Sequence, residues 1–239
     1  MDTIKINKGS VKMIAHRGVS WLERENTNAA FVAAGNRSYY GMETDVYRTL
    51  DGKFVLFHDR TLWVVAGVDM KMEQVPLADL QSVVLYDTDK TKTRFDLRVS
   101  TPQEYLSICK KYQKHSVIEL KSDFTEEEIA QIIEMVKAYD HLEDTTFIAF
   151  SYENLRKVRK ILPQQPVQLL SDELTEEILD NVIKDKIDVS IYYELVSKEL
   201  VDFLHEHGIK VNCWTVDNKE HAEKLVEMGV DYITTDILE

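Results

Sequence analysis

The sequence predicts an eight-stranded parallel α/β barrel, and three observations carry that expectation. Short segments rich in β-branched and aromatic residues recur nine times along 239 residues. Between most of them lie longer stretches whose apolar residues follow helical spacing behind capping residues. Strand-helix units repeated over this length suit a closed barrel, whereas a doubly wound open sheet usually needs fewer of them. With 44% hydrophobic residues the chain can bury a sizeable core. A single barrel domain over residues 1–239 is expected, with an insertion at about 59–100.

The first strand candidate, "VKMIAH" (residues 11–16), ends in His16, followed by Arg17 and Gly18. Chemistry in such barrels sits at the carboxyl ends of strands, and a glycine lets the backbone turn there without a Cβ clash. Taken alone, the pair reads as a hydrogen-bonded histidine beside a solvated arginine. Glu25, Asn26 and Thr27 open the next helix, with Asn26 or Thr27 as its N-cap holding the His-Arg turn in place.

In the second strand, "GMETDVY" (residues 41–47), Glu43 and Asp45 lie two apart and point to one side. Two like charges inside a barrel mouth are costly unless a cation joins them. Hard oxygen donors favour Mg²⁺ or Ca²⁺ over zinc. The competing reading is an outward-facing acidic pair in a chain with 42 acidic residues. "LDG" (residues 50–52) marks a hairpin into "KFVLFH" (residues 53–58), which ends in His58 as the first strand ends in His16. Two imidazoles at strand ends can serve as general acid and general base. Residues 59–100 show no barrel repeat and are expected to lie over one barrel end. Trp63, Val64, Val65 and Val68 there are expected to pack on the barrel rather than touch lipid.

"TPQEYLSICKKY" (residues 101–112) opens a helix with Thr101, an early proline and Glu104, a capping-box pattern. The strand "SVIELK" (residues 116–121) brings Glu119, and Lys121 two residues on shares its side. Three carboxylates and a lysine at successive strand ends make a cation and anion site. "TEEEIAQIIEMVKAY" (residues 125–139) carries its glutamates as an acidic first turn. The strands "TTFIAF", "PVQLLS", "IDVSIYY" and "IKVNCWTV" follow, and "VDYITTD" (residues 230–236) completes the set. "HEHG" (residues 205–208) is read as a helix end rather than a metal motif. "DNKEHAEKLVEMG" (residues 217–229) is a helix stopped by Gly229. His115, His141 and His221 are placed in loops or on helix surfaces without a role.

A formal charge of −13 argues against a nucleic-acid partner, because phosphate backbones need basic surfaces. The amino terminus lacks a leader pattern and no eighteen apolar residues run together, so no membrane anchor is expected. Cys109 and Cys213 are too few for a disulfide framework, which suits a cytoplasmic location.

"IAHRG", "ENTNAAFVAA", "GMETDVYRTLDGKFVLFHDRTL", "VIELK", "WTVDN" and "GVDYITTD", in this order and spacing, resemble the glycerophosphodiester phosphodiesterase family over nearly the whole chain. The resemblance implies a barrel enzyme that hydrolyses a glycerophosphodiester to glycerol 3-phosphate and an alcohol, using one divalent cation, Mg²⁺ or Ca²⁺. By matching motif, His16 and His58 resemble the family's catalytic acid-base pair, and Glu43, Asp45 and Glu119 its metal ligands. Arg17 and Lys121 look like phosphate contacts, and Trp214 resembles an aromatic lining the substrate site. The cation, Arg17 and Lys121 would neutralise charge that grows in the transition state. One histidine would accept the nucleophile's proton while the other protonates the leaving oxygen, with His16 expected as base and His58 as acid.

The chain departs from the family pattern where Arg24 replaces a common proline and Asn28 a common apolar residue. The segment "TLWVVAGVDMKM" lacks a threonine-glycine-rich turn, so the alcohol headgroup stays open. Two other readings stand beside this one. One is a phospholipase D-like or related two-histidine phosphodiesterase acting on lipids. The other is a catalytically silent phosphodiester-binding barrel, against which the intact histidines and carboxylates argue.

Overall fold

The computed structural model describes residues 2–239. Its strands are β1 (Lys12–Ala15), β2 (Gly41–Arg48), β3 (Phe54–Leu56), β4 (His115–Leu120), β5 (Thr145–Ala149), β6 (Val167–Ser171), β7 (Asp188–Tyr192), β8 (Val211–Trp214) and β9 (Tyr232–Thr235). Each overlaps a segment that the sequence marks as a strand, with β2 running one residue further, to Arg48, and β4 starting one residue earlier, at His115. Eight run parallel in the order β1-β9-β8-β7-β6-β5-β4-β2, and pairing of β1 with β2 closes the ring. The closed parallel barrel expected from the sequence is therefore present. The ninth strand, β3, pairs antiparallel with β2 as the far arm of a hairpin. His58 thus follows a hairpin strand, not a strand of the ring.

The helices are α1 (Asn28–Gly35), α2 (Trp63–Ala66), α3 (Leu77–Ser82), α4 (Pro102–Tyr112), α5 (Glu126–Ala138), α6 (Tyr152–Ile161), α7 (Glu176–Asp185), α8 (Lys198–Glu206) and α9 (Lys219–Met228). Seven begin at a Thr, Ser or Asn whose side chain accepts a backbone N–H of the first turn: Thr27, Thr101, Thr125, Ser151, Thr175, Ser197 and Asn218. Such caps satisfy donors that the helix leaves orphaned. Thr101 with Glu104 and Thr125 with Glu128 form full capping boxes. Gly229 ends α9 in the left-handed region.

Strand alternation builds two apolar layers. Outward residues such as Met13, Val46, Ile118, Phe147 and Val189 pack against Phe31, Ile129, Leu155 and Leu204 of the helices. A smaller inner cluster joins Ile14, Val117, Ile148 and Leu170. Asn212 fills the interior beside it, donating to Ser190 and Thr234 hydroxyls at 3.0 Å each.

Residues 59–100 carry α2 and α3 and form their own apolar cluster, in which Leu62, Val65, Met72, Leu80 and Leu97 pack on Tyr47, Val55 and Phe57. Val65 and Val68 take part in it, but Trp63 and Val64 face outward at 62% and 71% exposure. Packing therefore accounts for only half of that quartet. Arg24 ties this segment to the barrel, donating from Nε to the Tyr86 carbonyl at 2.6 Å and from a terminal nitrogen to that of Asp87 at 2.9 Å. Arg94 adds an ion pair to Glu23 at 2.6 Å.

His115 does not sit in a loop. It opens β4, stacks on Tyr40 with centroids 5.1 Å apart, and burial pushes its pKa down to about 4. His141 does lie in a loop, where it is buried. The "HEHG" stretch does end a helix, with His205 paired to Asp231 at 2.8 Å. Among the described residues no helix is long and apolar enough to cross a membrane.

Candidate active site

The alternation of β2 turns Glu43 and Asp45 inward together, and the parallel register sets Asp45 opposite Glu119 of β4. One carboxylate oxygen from each of the three lies within 4.8 Å of the others, and all three residues are buried. Lys121 reaches this group from one side, with Nζ 2.9 Å from Glu119 and 3.5 Å from Asp45.

Arg17 reaches it from the other side. Its φ of +55° turns the chain so that its backbone N–H donates to Glu43 Oε2 at 3.0 Å. Its guanidinium donates to Glu25 at 2.9 Å and lies 3.6 Å from Asp45. Gly18 follows at φ +80°, where an added Cβ would stand 2.6 Å from the Ala30 carbonyl carbon. Only glycine fits there.

Asn26, also in the left-handed region at φ +54°, donates from Nδ2 to Asp45 Oδ2 at 2.8 Å. Its own oxygen accepts the Thr44 hydroxyl at 2.7 Å. It therefore orients an acidic side chain, while Thr27 alone caps α1. A non-glycine residue held at positive φ stores strain that such contacts must offset.

Electrostatics divide the three carboxylates. Burial, then repulsion by Asp45 and Glu119, drives the Glu43 pKa well above its ordinary range. Burial and the Asp45 charge push Glu119 up to about 8 against the pull of Lys121. Burial also disfavours ionised Asp45, yet Arg17, Lys121 and the Asn26 hydrogen bond outweigh it and hold this group low. Arg17 and Lys121 are shifted upward by the same acidic neighbours, despite burial, and stay charged.

Three hard oxygen donors from three buried side chains suit a divalent cation of the Mg²⁺ or Ca²⁺ kind. Asp45 Oδ1 fits that use, since it is buried without a hydrogen-bond partner. A buried acceptor left without a partner is costly unless an ion or proton completes it.

Both histidines flank the acidic group. His16 Nδ1 lies 2.7 Å from Asp236 Oδ1, and His58 Nδ1 lies 2.9 Å from Asp59 Oδ1. They line one cavity of about 130 Å³ together with Arg17, Glu43, Glu119 and Trp214. Burial, reinforced by Arg17 and Lys121, lowers the His58 pKa more than Asp45 and Asp59 raise it.

Trp214 is fixed by an indole N–H donated to the Ser190 carbonyl at 2.9 Å, with Phe150 5.9 Å and Tyr192 6.0 Å from its ring. Ile148 and Leu170 extend this apolar wall. A second cavity of about 440 Å³ opens beside His58 and Lys121, bounded by Asp59, Arg60, Asp123 and Phe150. Of residues 59–100, only Asp59 and Arg60 reach it and none reaches the first cavity, so the expected cap over the pocket shrinks to these two side chains.

All eight residues singled out from the sequence meet here: His16, Arg17, Glu43, Asp45, His58, Glu119, Lys121 and Trp214. Phe150 and Asp236 were missed. Each stands at the end of a strand pattern, "TTFIAF" and "VDYITTD", where the rule that found His16 applies equally.

Residues 16–239 match the model of the glycerophosphoryl diester phosphodiesterase family. A glycerophosphodiester phosphodiesterase of Caldanaerobacter subterraneus is 30% identical over 230 residues, covering 94% of this chain and 93% of its own. One from Bacillus subtilis is 27% identical, covering 93% of this chain and 82% of its own. Among solved structures, a phosphodiesterase of Oleispira antarctica in complex with the product sn-glycerol-3-phosphate superposes with a TM-score of 0.86. That match has 25% identity and covers 97% of this chain and 95% of the other.

Proposed function

The chain belongs to the glycerophosphoryl diester phosphodiesterase family, and from that premise we propose that it hydrolyses glycerophosphodiesters to glycerol 3-phosphate and an alcohol with one divalent cation and two histidines. A single barrel domain carries this activity, with residues 59–100 as an insertion. The observation that carries the reading is the joining of three carboxylate oxygens within 4.8 Å to two carboxylate-backed imidazoles around one cavity.

Glu43, Asp45 and Glu119 would hold Mg²⁺ or Ca²⁺, which when bound would supply Lewis-acid charge to the phosphate. Arg17 and Lys121 bind the same phosphate and add fixed positive charge where negative charge develops. Burial keeps His58 neutral at pH 7, the state that accepts a proton from the attacking oxygen. His16, with the Asp236 carboxylate 2.7 Å from Nδ1, is suited to hold a proton and deliver it from Nε2. A bond forms from the attacking oxygen to phosphorus as the bond to the alcohol oxygen breaks. That oxygen leaves with the His16 proton. This order reverses the one expected from the sequence alone. The 130 Å³ cavity beside Trp214, which both histidines line, suits a glycerol-sized group.

Leaving-group dependence tests the roles. His16→Ala is expected to slow release of choline from glycerophosphocholine by about 10²- to 10⁴-fold, the usual range for a lost acid or base. It should slow release of a nitrophenol, which departs without protonation, far less. His58→Ala should slow both. Equal losses for His16→Ala on the two esters would reverse the assignment.

A further inference from the structure

We propose that Asp236 is a positioning residue that fixes the proton and ring orientation of His16, an inference that rests on the catalytic role given to His16 above. Its Oδ1 stands 2.7 Å from His16 Nδ1 and accepts the Ser20 hydroxyl at 2.7 Å. The His16 backbone N–H donates to the Thr235 carbonyl at 2.8 Å, so the end of β9 grips both the main chain and the ring of the residue after β1.

Asp236 is itself held. Its backbone N–H donates to Asp217 Oδ1 at 2.7 Å, and the Thr235 hydroxyl donates to the same oxygen at 3.0 Å. Residues after β8, β9 and β1 therefore form a chain of contacts running Asp217, Asp236, His16.

A carboxylate can only accept, so the neutral His16 ring places its hydrogen on Nδ1 and leaves Nε2 bare toward the cavity. Nε2 is then the atom that gains and gives the transferred proton. The surroundings distinguish this pair from the other one. Asp236 is anchored by Ser20 and Asp217, whereas Asp59 neighbours His58 in sequence and is 41% exposed at its side chain. Orientation of a reacting imidazole by a carboxylate is worth large factors in rate when the wrong tautomer cannot react.

Nitrogen-15 NMR of the histidine rings in the intact protein is the direct test and needs no substrate. The neutral His16 ring is expected to carry its hydrogen on Nδ1, and in Asp236→Asn, whose amide can donate to Nδ1, the hydrogen moves to Nε2. The same variant should lose about 10²- to 10⁴-fold in kcat on glycerophosphocholine, with KM little changed and a much smaller loss on the nitrophenyl ester. Added to His16→Ala, it should cost almost nothing more. A wild-type ring protonated on Nε2, an Asp236→Asn enzyme of undiminished kcat, or losses that multiply in the double variant would each overturn the proposal. If Asp236→Asn does not fold, the wild-type spectrum still decides, and Ser20→Ala should lower kcat in the same direction by less. A chain that hydrolyses no glycerophosphodiester but keeps the Nδ1 hydrogen contradicts the functional reading alone.

Discussion

Asp45 is gripped from several sides. Asn26 donates to one oxygen, while Arg17 and Lys121 approach within 3.6 and 3.5 Å. This leaves Oδ1 without a hydrogen bond, with the Lys121 ammonium 3.5 Å away. Asn26 is thus placed to decide where an ion's ligand points. Asn26→Ala is expected to weaken Mg²⁺ or Ca²⁺ binding by about 10- to 100-fold, the usual cost of losing a partner that orients a ligand. Calorimetric titration of the folded variant measures it, and unchanged affinity would contradict the role. At this scale the sequence showed residue types and the period of two that aligns Glu43 with Asp45. It did not show Asn26 crossing to Asp45 or Asp236 crossing to His16, since both contacts depend on ring closure between chain segments 19 and 220 residues apart.

At the scale of elements, local signals were the most readable. Nine strand patterns became nine strands because β-branched and aromatic residues fit a surface buried on both faces. Helix starts were marked by side chains that accept first-turn N–H groups. The hairpin was legible from "LDG", but its arm's place outside the ring was not, because antiparallel pairing leaves no local trace. The segment at 59–100 was the least legible. Its two helices are short and lack side-chain caps, and its position depends on Arg24 and Arg94 reaching across to it. Thr101→Ala removes one half of a capping box on α4 and should cost about 1 kcal/mol. For a chain of this length that lowers the Tm by roughly 2–4 °C. Scanning calorimetry reads it, and an unshifted Tm would mean that tertiary packing alone holds the helix end.

At the scale of the molecule, the acidic centre sets stability against binding. In the metal-free chain Glu43 and Glu119 are held above the ordinary value of 4.5, Glu119 at about 8. The folded chain therefore keeps protons that the unfolded chain releases, so stability falls as pH rises from about 4.5 toward 8. Asp45 is shifted the other way and acts only below its ordinary 3.8, outside this window. Wild type should lose more Tm than Glu119→Gln between about pH 6 and pH 8 in EDTA. Added cation should restore more at the higher pH, because it replaces protons there at less cost. Identical pH slopes in the two proteins would remove Glu119 from this linkage.

The central claim is that the three carboxylates hold an ion required for cleaving a glycerophosphodiester. The most direct measurement is release of glycerol 3-phosphate from glycerophosphocholine and glycerophosphoethanolamine, first in EDTA and then with Mg²⁺ or Ca²⁺ restored, by wild type and Glu43→Ala. Release abolished by EDTA, restored by one cation, and absent or demanding far more cation in Glu43→Ala is the expected result. Undiminished release in EDTA, or none from folded protein with either cation, would contradict it.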